Sequence, residues 1–155
     1  MNYTEYKDKV LAELNEQLSS FDERMVDQFV EELAHKRCAN ICAYGAGRMG
    51  YGLRAFIMRL IHLGYHAYWY TDTTIPHMGP NDMFLFASGS GKTQTVVTLA
   101  EITRKKADSR IVAVTGDACS PLAQLSDLVI KFKGCNNGLN SENSPDKINS
   151  IQPMT

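Results

Sequence analysis

Two short loops hold the residue types that could do chemistry. One is Ser88-Gly89-Ser90-Gly91-Lys92-Thr93 and the other is Gly45-Ala46-Gly47-Arg48-Met49-Gly50. Each follows a short apolar run and precedes a helical pattern. A loop at that place presents unpaired backbone N–H groups, and the helix dipole favours an anion there. Glycines let a ligand approach the backbone, and Ser and Thr hydroxyls add donors for phosphate oxygens. Both loops therefore point to binding of an anionic small molecule. The alternative is that they are tight turns serving the fold only, which is the weaker reading for two such loops.

Each loop has a rival chemistry. Gly45, Gly47 and Gly50 match the dinucleotide fingerprint GxGxxG, and Asp72 falls about where an acid would meet a ribose. The second loop ends like a P-loop in Gly91-Lys92-Thr93. The earlier glycine that a P-loop requires would fall at Phe86, so that motif is rejected.

The elements that must position these loops are legible from hydrophobic periodicity. A first helix spans about Thr4 to Leu18, with Val10, Leu11, Leu14 and Leu18 on one face. Asp22 can cap a second helix carrying Met25, Val26, Phe29, Val30 and Leu33. Strands follow at Asn40–Tyr44, His66–Thr71, Met83–Ala87, Ile111–Thr115 and Leu128–Phe132. Helices between them run from Met49 to Leu63, with Gly64 as terminator, and from Thr93 to Lys106. A short one opens at Ser120-Pro121 and ends at Leu125.

Short strands that are apolar throughout and separated mostly by helices predict an α/β fold. The expectation is a five-stranded parallel sheet with helices on both faces. If the order is flavodoxin-like, 2-1-3-4-5, the first and third strands lie side by side at the switch point. Both glycine loops then face one crevice. The chain reads as a single domain. Residues 1–37 form the N-terminal helices, 38–132 the α/β core and 133–155 a polar tail rich in Gly, Asn and Ser.

Composition sets further bounds. The chain has 155 residues, 44% apolar, with 16 basic and 17 acidic side chains and a net charge of -1. That balance gives no argument for nucleic acid or an anionic membrane. The polar N-terminus lacks a signal-peptide core, and no apolar run is long enough to span a bilayer. The cysteines, at positions 38, 42, 119 and 135, make no CxxC pair, so no zinc or redox motif is expected. Cys38 and Cys42 border or lie within a strand and read as buried free thiols. A reducing, cytoplasmic setting fits.

At the quoted residues the chain resembles the sugar isomerase (SIS) domain family. Ser88, Ser90, Gly91 and Thr93 match its phosphate loop, Ser-x-Ser-Gly-x-Thr. Within that family it is similar to the 6-phospho-3-hexuloisomerases. That likeness rests on Tyr44 to Arg48, Met58 to Gly64, Thr73 to Pro76, Val114 to Gly116 and Ser150 to Met154. The resemblance implies interconversion of D-arabino-hex-3-ulose 6-phosphate and fructose 6-phosphate, with a role in formaldehyde fixation. It also implies a homotetramer and no metal or organic cofactor.

Three departures from the family pattern stand out. Met49 replaces a usual serine, and Lys92 replaces a common glutamate. The family's expected catalytic glutamate, on a C-terminal helix, falls beyond Thr155.

The implied reaction moves a carbonyl by one carbon through an enediolate. It needs a base, a stabilised oxyanion and remote binding energy from the phosphate. On this reading Ser88, Ser90 and Thr93, with the amides of Gly89 and Gly91, hold the phosphate. Gly47 and Arg48 lie across the crevice, Arg48 either contacting sugar oxygens or simply solvated at a helix start. His62 is the candidate acid/base for ring opening. It sits late in its helix, so it would serve a neighbouring subunit's site, or else it packs at a subunit contact. His77 lies on a loop, and His35 and His66 read as structural. Glu142 and Asp146 read as solvated tail residues. Two further functions compete with catalysis: a sugar-phosphate sensor without turnover, and a dinucleotide-dependent oxidoreductase.

Overall fold

The computed structural model describes residues 2–37 and 39–132. Cys38 and the polar tail, with Cys135, Glu142, Asp146 and the Ser150–Met154 segment, lie outside the described residues. The elements run α1 (Tyr3–Leu18), α2 (Glu23–His35), β1 (Asn40–Gly45), α3 (Gly47–His62), β2 (His66–Trp69), β3 (Met83–Ala87), α4 (Gln94–Lys106), β4 (Arg110–Thr115), α5 (Pro121–Gln124) and β5 (Leu128–Lys131). Asp22 accepts from the Arg24 N–H at 3.0 Å and caps α2 as expected. Gly64 follows the end of α3 with a φ of +85°. Ser120 caps α5 by accepting from the Ala123 N–H at 3.3 Å.

The five strands form one parallel sheet in the order β2-β1-β3-β4-β5. The expected flavodoxin-like winding is therefore present. The central strand β3, all of whose side chains are buried, must be covered on both faces. One face packs under α3 and α2 through Met49, Leu53, Ile57, Leu60 and Leu33. The other packs under α4 and α5 through Val96, Val97, Ala100 and Leu122. Fully burying each such side chain contributes about 1.5–3 kcal/mol. Cys42 is 1% exposed, and burial, helped by the nearby Asp72 charge, pushes its thiol up to about 12. It is a neutral core side chain, as expected.

The N-terminal region departs from the expectation in one respect. The α1 stripe is not an inward face: Leu11, Leu14 and Leu18 are exposed, and α1 buries none of its residues. The helix forms on local terms, through a capping box in which Asn2 and Glu5 bond each other's backbone N–H. Within α2, Met25, Phe29 and Leu33 pack on the core, whereas Val30 points outward, 57% exposed.

A long-range ion pair fastens α2 to the sheet. Arg110, at the start of β4, donates to both oxygens of Glu32, at 2.9 and 2.6 Å. The Arg110 hydrogen bond holds the Glu32 carboxyl below its ordinary value, against the opposing effect of burial. A carboxylate with a depressed folded pKa stabilises above its unfolded value and loses that contribution as pH falls through the folded one. Glu32→Gln should therefore cost about 1–2 kcal/mol near neutrality, after discounting for partial exposure. In urea titrations at several pH values, the gap from the parent should be constant above the ordinary glutamate pKa of 4.5 and close below it. A gap that does not depend on pH would assign the effect to packing alone.

Candidate functional site

The two loops lie where the winding order of the strands reverses, between β1 and β3. β1 pairs with β2 on one side and β3 on the other, and Gly45 is in register with Ala87. The last residues of β1 and β3 are thus neighbours, and α3 and α4 both start from this edge. Neither helix has a side-chain cap at its start: Ala46 precedes α3, and the Thr93 hydroxyl does not cap α4. The start of each helix is thus without a capping side chain of its own N-cap residue.

The first loop is shaped by close packing. A Cβ on Gly50 would stand 2.3 Å from the Gly45 carbonyl oxygen, so α3 seats directly on β1 because position 50 has no side chain. Gly47 has a φ of +55°, and both Gly47 and Arg48 are exposed at the start of α3. Met49 points the other way: it is 4% exposed and packs in the core under α3. Its thioether fills the interior and lies away from the crevice.

The second loop is anchored from behind. Its Gly89 carbonyl accepts from the Gly116 N–H at 2.9 Å, and its Gly91 carbonyl accepts from the Leu122 N–H at 3.1 Å. The Ser88 N–H donates to the Val114 carbonyl at 3.0 Å. Those bonds tie the loop to β4 and α5. The amides of Gly89 and Ser90 donate to no acceptor among the described residues.

Two expected donors are placed differently. The Gly91 N–H closes a turn onto the Ser88 carbonyl at 3.1 Å and is not offered outward. Ser88 is only 2% exposed, and its hydroxyl bonds that of Thr93 at 2.9 Å. Ser88 therefore orients Thr93, while Ser90 is exposed. The Ser90 oxygen accepts from the Lys92 N–H at 3.2 Å, which leaves its own proton to donate.

His62 is far from this edge. It ends α3, whose start carries Gly47 and Arg48. At about 1.5 Å rise per residue, roughly 22 Å separate it from the crevice of its own chain. His35 donates from Nδ1–H to the Glu31 carbonyl, 2.7 Å away, one turn back in its own helix. Asp72 does not end β2, which stops at Trp69; it follows a turn in which its N–H donates to the Trp69 carbonyl at 2.9 Å.

A cavity of about 480 Å³ lies at the opposite end of the sheet, lined by Glu32, Arg104, Arg110 and Asp127 among others. Its charges already pair with one another: Arg104 donates to Asp127 at 2.8 Å and to the Leu125 carbonyl. Burial would raise the Asp127 carboxyl, but the bonds from Arg104 and the Ile111 N–H outweigh it and hold it low. This network joins α2, α4, β4 and β5 and is structural.

Sequence reasoning missed the groups that hold the phosphate-type loop from behind, Thr115, Asp117 and Ser120. Only the Ser120-Pro121 helix start hinted at one of them. Among the described residues no group of His, Cys, Asp and Glu could hold a metal ion. No described helix is long and apolar enough to cross a membrane.

The molecule is thus an open, doubly wound α/β domain with a hydroxyl-rich loop at its switch point. Residues 51–135, more than half of the chain, match the SIS domain family, and the chain belongs to it. A protein of Mycobacterium gastri named 3-hexulose-6-phosphate isomerase is 50% identical over 86 residues, covering 56% of this chain and 43% of that protein. A Bacillus subtilis protein of the same name is 28% identical over 154 residues, covering 99% of this chain and 80% of its own. A solved Methanococcus jannaschii structure, from which a 3-hexulose-6-phosphate isomerase function was inferred, superposes with a TM-score of 0.64 at 30% identity. That match covers 74% of this chain and 63% of the other. The chain spans about half the length of several of the curated relatives it matches.

Proposed function

We propose that the chain is a sugar-phosphate isomerase domain that interconverts D-arabino-hex-3-ulose 6-phosphate and fructose 6-phosphate. The observation that carries this is the placement of the Ser88–Thr93 loop. Its Gly89 and Gly91 carbonyls are tied back to the β4–α5 loop and α5, the amides of Gly89 and Ser90 have no acceptor among the described residues, and α4 starts beside the switch point without a side-chain cap. A phosphate held there by Ser90 and Thr93, with Ser88 orienting Thr93, would lay the sugar toward Gly47 and Arg48 at the start of α3. Remote phosphate binding then fixes the carbons between which the proton moves.

His62 serves this chemistry only in the crevice of a second copy, given its distance from its own. A homo-oligomer, with four copies as the family resemblance implies, supplies that geometry. A place in formaldehyde fixation follows from the same substrate. A second reading is sugar-phosphate binding without turnover. The described carboxylates with displaced pKa values, Glu32 and Asp127, belong to the structural network at the far end and not to the crevice.

Two measurements test these readings. Fructose 6-phosphate, and not NAD, is expected to raise the melting temperature; stabilisation by NAD alone would overturn both. A coupled assay of fructose 6-phosphate formation from the 3-hexulose ester then separates enzyme from sensor. Thr93→Val is expected to lower kcat/KM or binding about tenfold or more by removing a hydrogen bond to a charged group. A Thr93→Val protein with unchanged binding would remove that residue from the site.

A further inference from the structure

One residue of the loop carries a formal charge. Ser88, Gly89, Ser90, Gly91 and Thr93 offer only hydroxyls and partial charges, whereas Lys92 brings a full cation. The Lys92 side chain is 65% exposed, and its ammonium lies 3.7 Å from Oδ2 of Asp117, whose side chain is 31% exposed. That separation is an ion pair without a proper hydrogen bond, and exposed pairs of this kind are weak.

Asp117 itself is pinned. Its Oδ1 accepts from the Cys119 N–H at 2.9 Å, and its carbonyl accepts from the Ser120 hydroxyl at 2.6 Å. The loop between β4 and α5 thus holds the acid still, while the lysine rests on it by a long flexible stem. The same β4–α5 loop supplies the Gly116 N–H that anchors Gly89. Lysine and acid are therefore set in place by the scaffold that shapes the hydroxyl loop.

We propose that Lys92 is the residue that selects a doubly charged phosphate ester, and that Asp117 is its docking partner in the empty site. When the ester binds, the ammonium leaves Asp117 for a phosphate oxygen. The exchange is inexpensive because the pair is loose, and its net gain grows with the ligand's charge. Asp117 is a positioning residue here, acting through Lys92 alone. The inference rests on the phosphate-loop reading above and adds to it the determinant of ligand charge.

The test is calorimetric titration of the protein with inorganic phosphate and with fructose 6-phosphate, at several salt concentrations and from about pH 5.5 to 7.5. That range spans the second ionisation of a phosphate group, near pH 6. Parent affinity should rise with pH as the dianion forms. Lys92→Met should bind about tenfold more weakly, with less dependence on pH and salt, and Lys92→Arg should restore most of the loss. Asp117→Asn should tighten binding severalfold with Lys92 present and leave it unchanged in the Lys92→Met background. Equal affinities for parent and Lys92→Met would overturn the proposal. So would the same gain from Asp117→Asn in both backgrounds, which would make Asp117 a source of general repulsion only. A parent protein that binds neither probe would overturn the phosphate-loop reading itself, and this inference with it.

Discussion

Replacing Gly91 with alanine is expected to give the largest combined loss of stability and ligand binding. The added Cβ would stand 2.0 Å from the Ser120 Oγ, 2.3 Å from its Cβ and 2.9 Å from the Thr115 Oγ1. Position 91 also has a φ of +64°, which an L side chain adopts at a cost of roughly 1–2 kcal/mol. Overpacking of a close contact adds roughly 1–3 kcal/mol. A total of about 2–5 kcal/mol corresponds to a fall in Tm of roughly 4–20 °C for a chain of this size. The clash also falls on the turn that presents Ser90 and Thr93, so the folded fraction should lose phosphate binding as well. Adding Ser120→Gly opens the space and should recover part of the stability, leaving the backbone strain. A Gly91→Ala protein with unchanged Tm would show that the loop does not sit under Ser120.

Gly50→Ala tests the first loop, and the sign of its effect is what matters. Position 50 is in α3, where alanine ordinarily stabilises by about 1 kcal/mol over glycine. Here the new Cβ would meet the Gly45 carbonyl oxygen at 2.3 Å and its carbon at 3.1 Å. The obstacle is backbone, which cannot rotate aside, so α3 must lift from β1. That disturbs Met49, Leu53 and Ile57 beneath it. A loss of about 2–4 kcal/mol is expected. Gly52, exposed two residues further along the same helix, is the control, and Gly52→Ala should be neutral or stabilising. Denaturant titration of both variants checks the contrast. Stabilisation by both substitutions would remove the close helix–strand contact from the account. If the contact is present, helix seating alone accounts for Gly50 in the GxGxxG pattern, and no dinucleotide is needed to explain it.

Fold and site were legible to different depths. The order of the sheet was an assumption from fold topology, and the tertiary structure supplies it. The five strands and the helices between them followed from local signals: apolar runs, capping Asp22 and Ser120, and the glycine ending α3. Such signals act within a turn or two of chain, so each strand core is found while its ends drift. The strand expected to reach Thr71 stops at Trp69, because beyond it the backbone turns back in a bond from Asp72. Periodicity marked α1 as amphipathic but could not say what its stripe meets. In the described residues Leu11, Leu14 and Leu18 face solvent.

The Ser88–Thr93 loop stood out as a candidate phosphate site because its residue types alone carry hydroxyls, glycines and a helix start. What each residue does there depended on contacts across the chain. The turn from Ser88 to Gly91 takes up one amide, Ser120 crowds Gly91, and Asp117 holds Lys92. Arg110 meets Glu32 across 78 positions of sequence. By itself the sequence determined the class of fold and marked the loop proposed for anion binding, since both arise from short-range propensity and residue type. Which donors face outward, and which charge waits beside them, was decided only by tertiary packing, because no local pattern records a neighbour brought in from a distant strand.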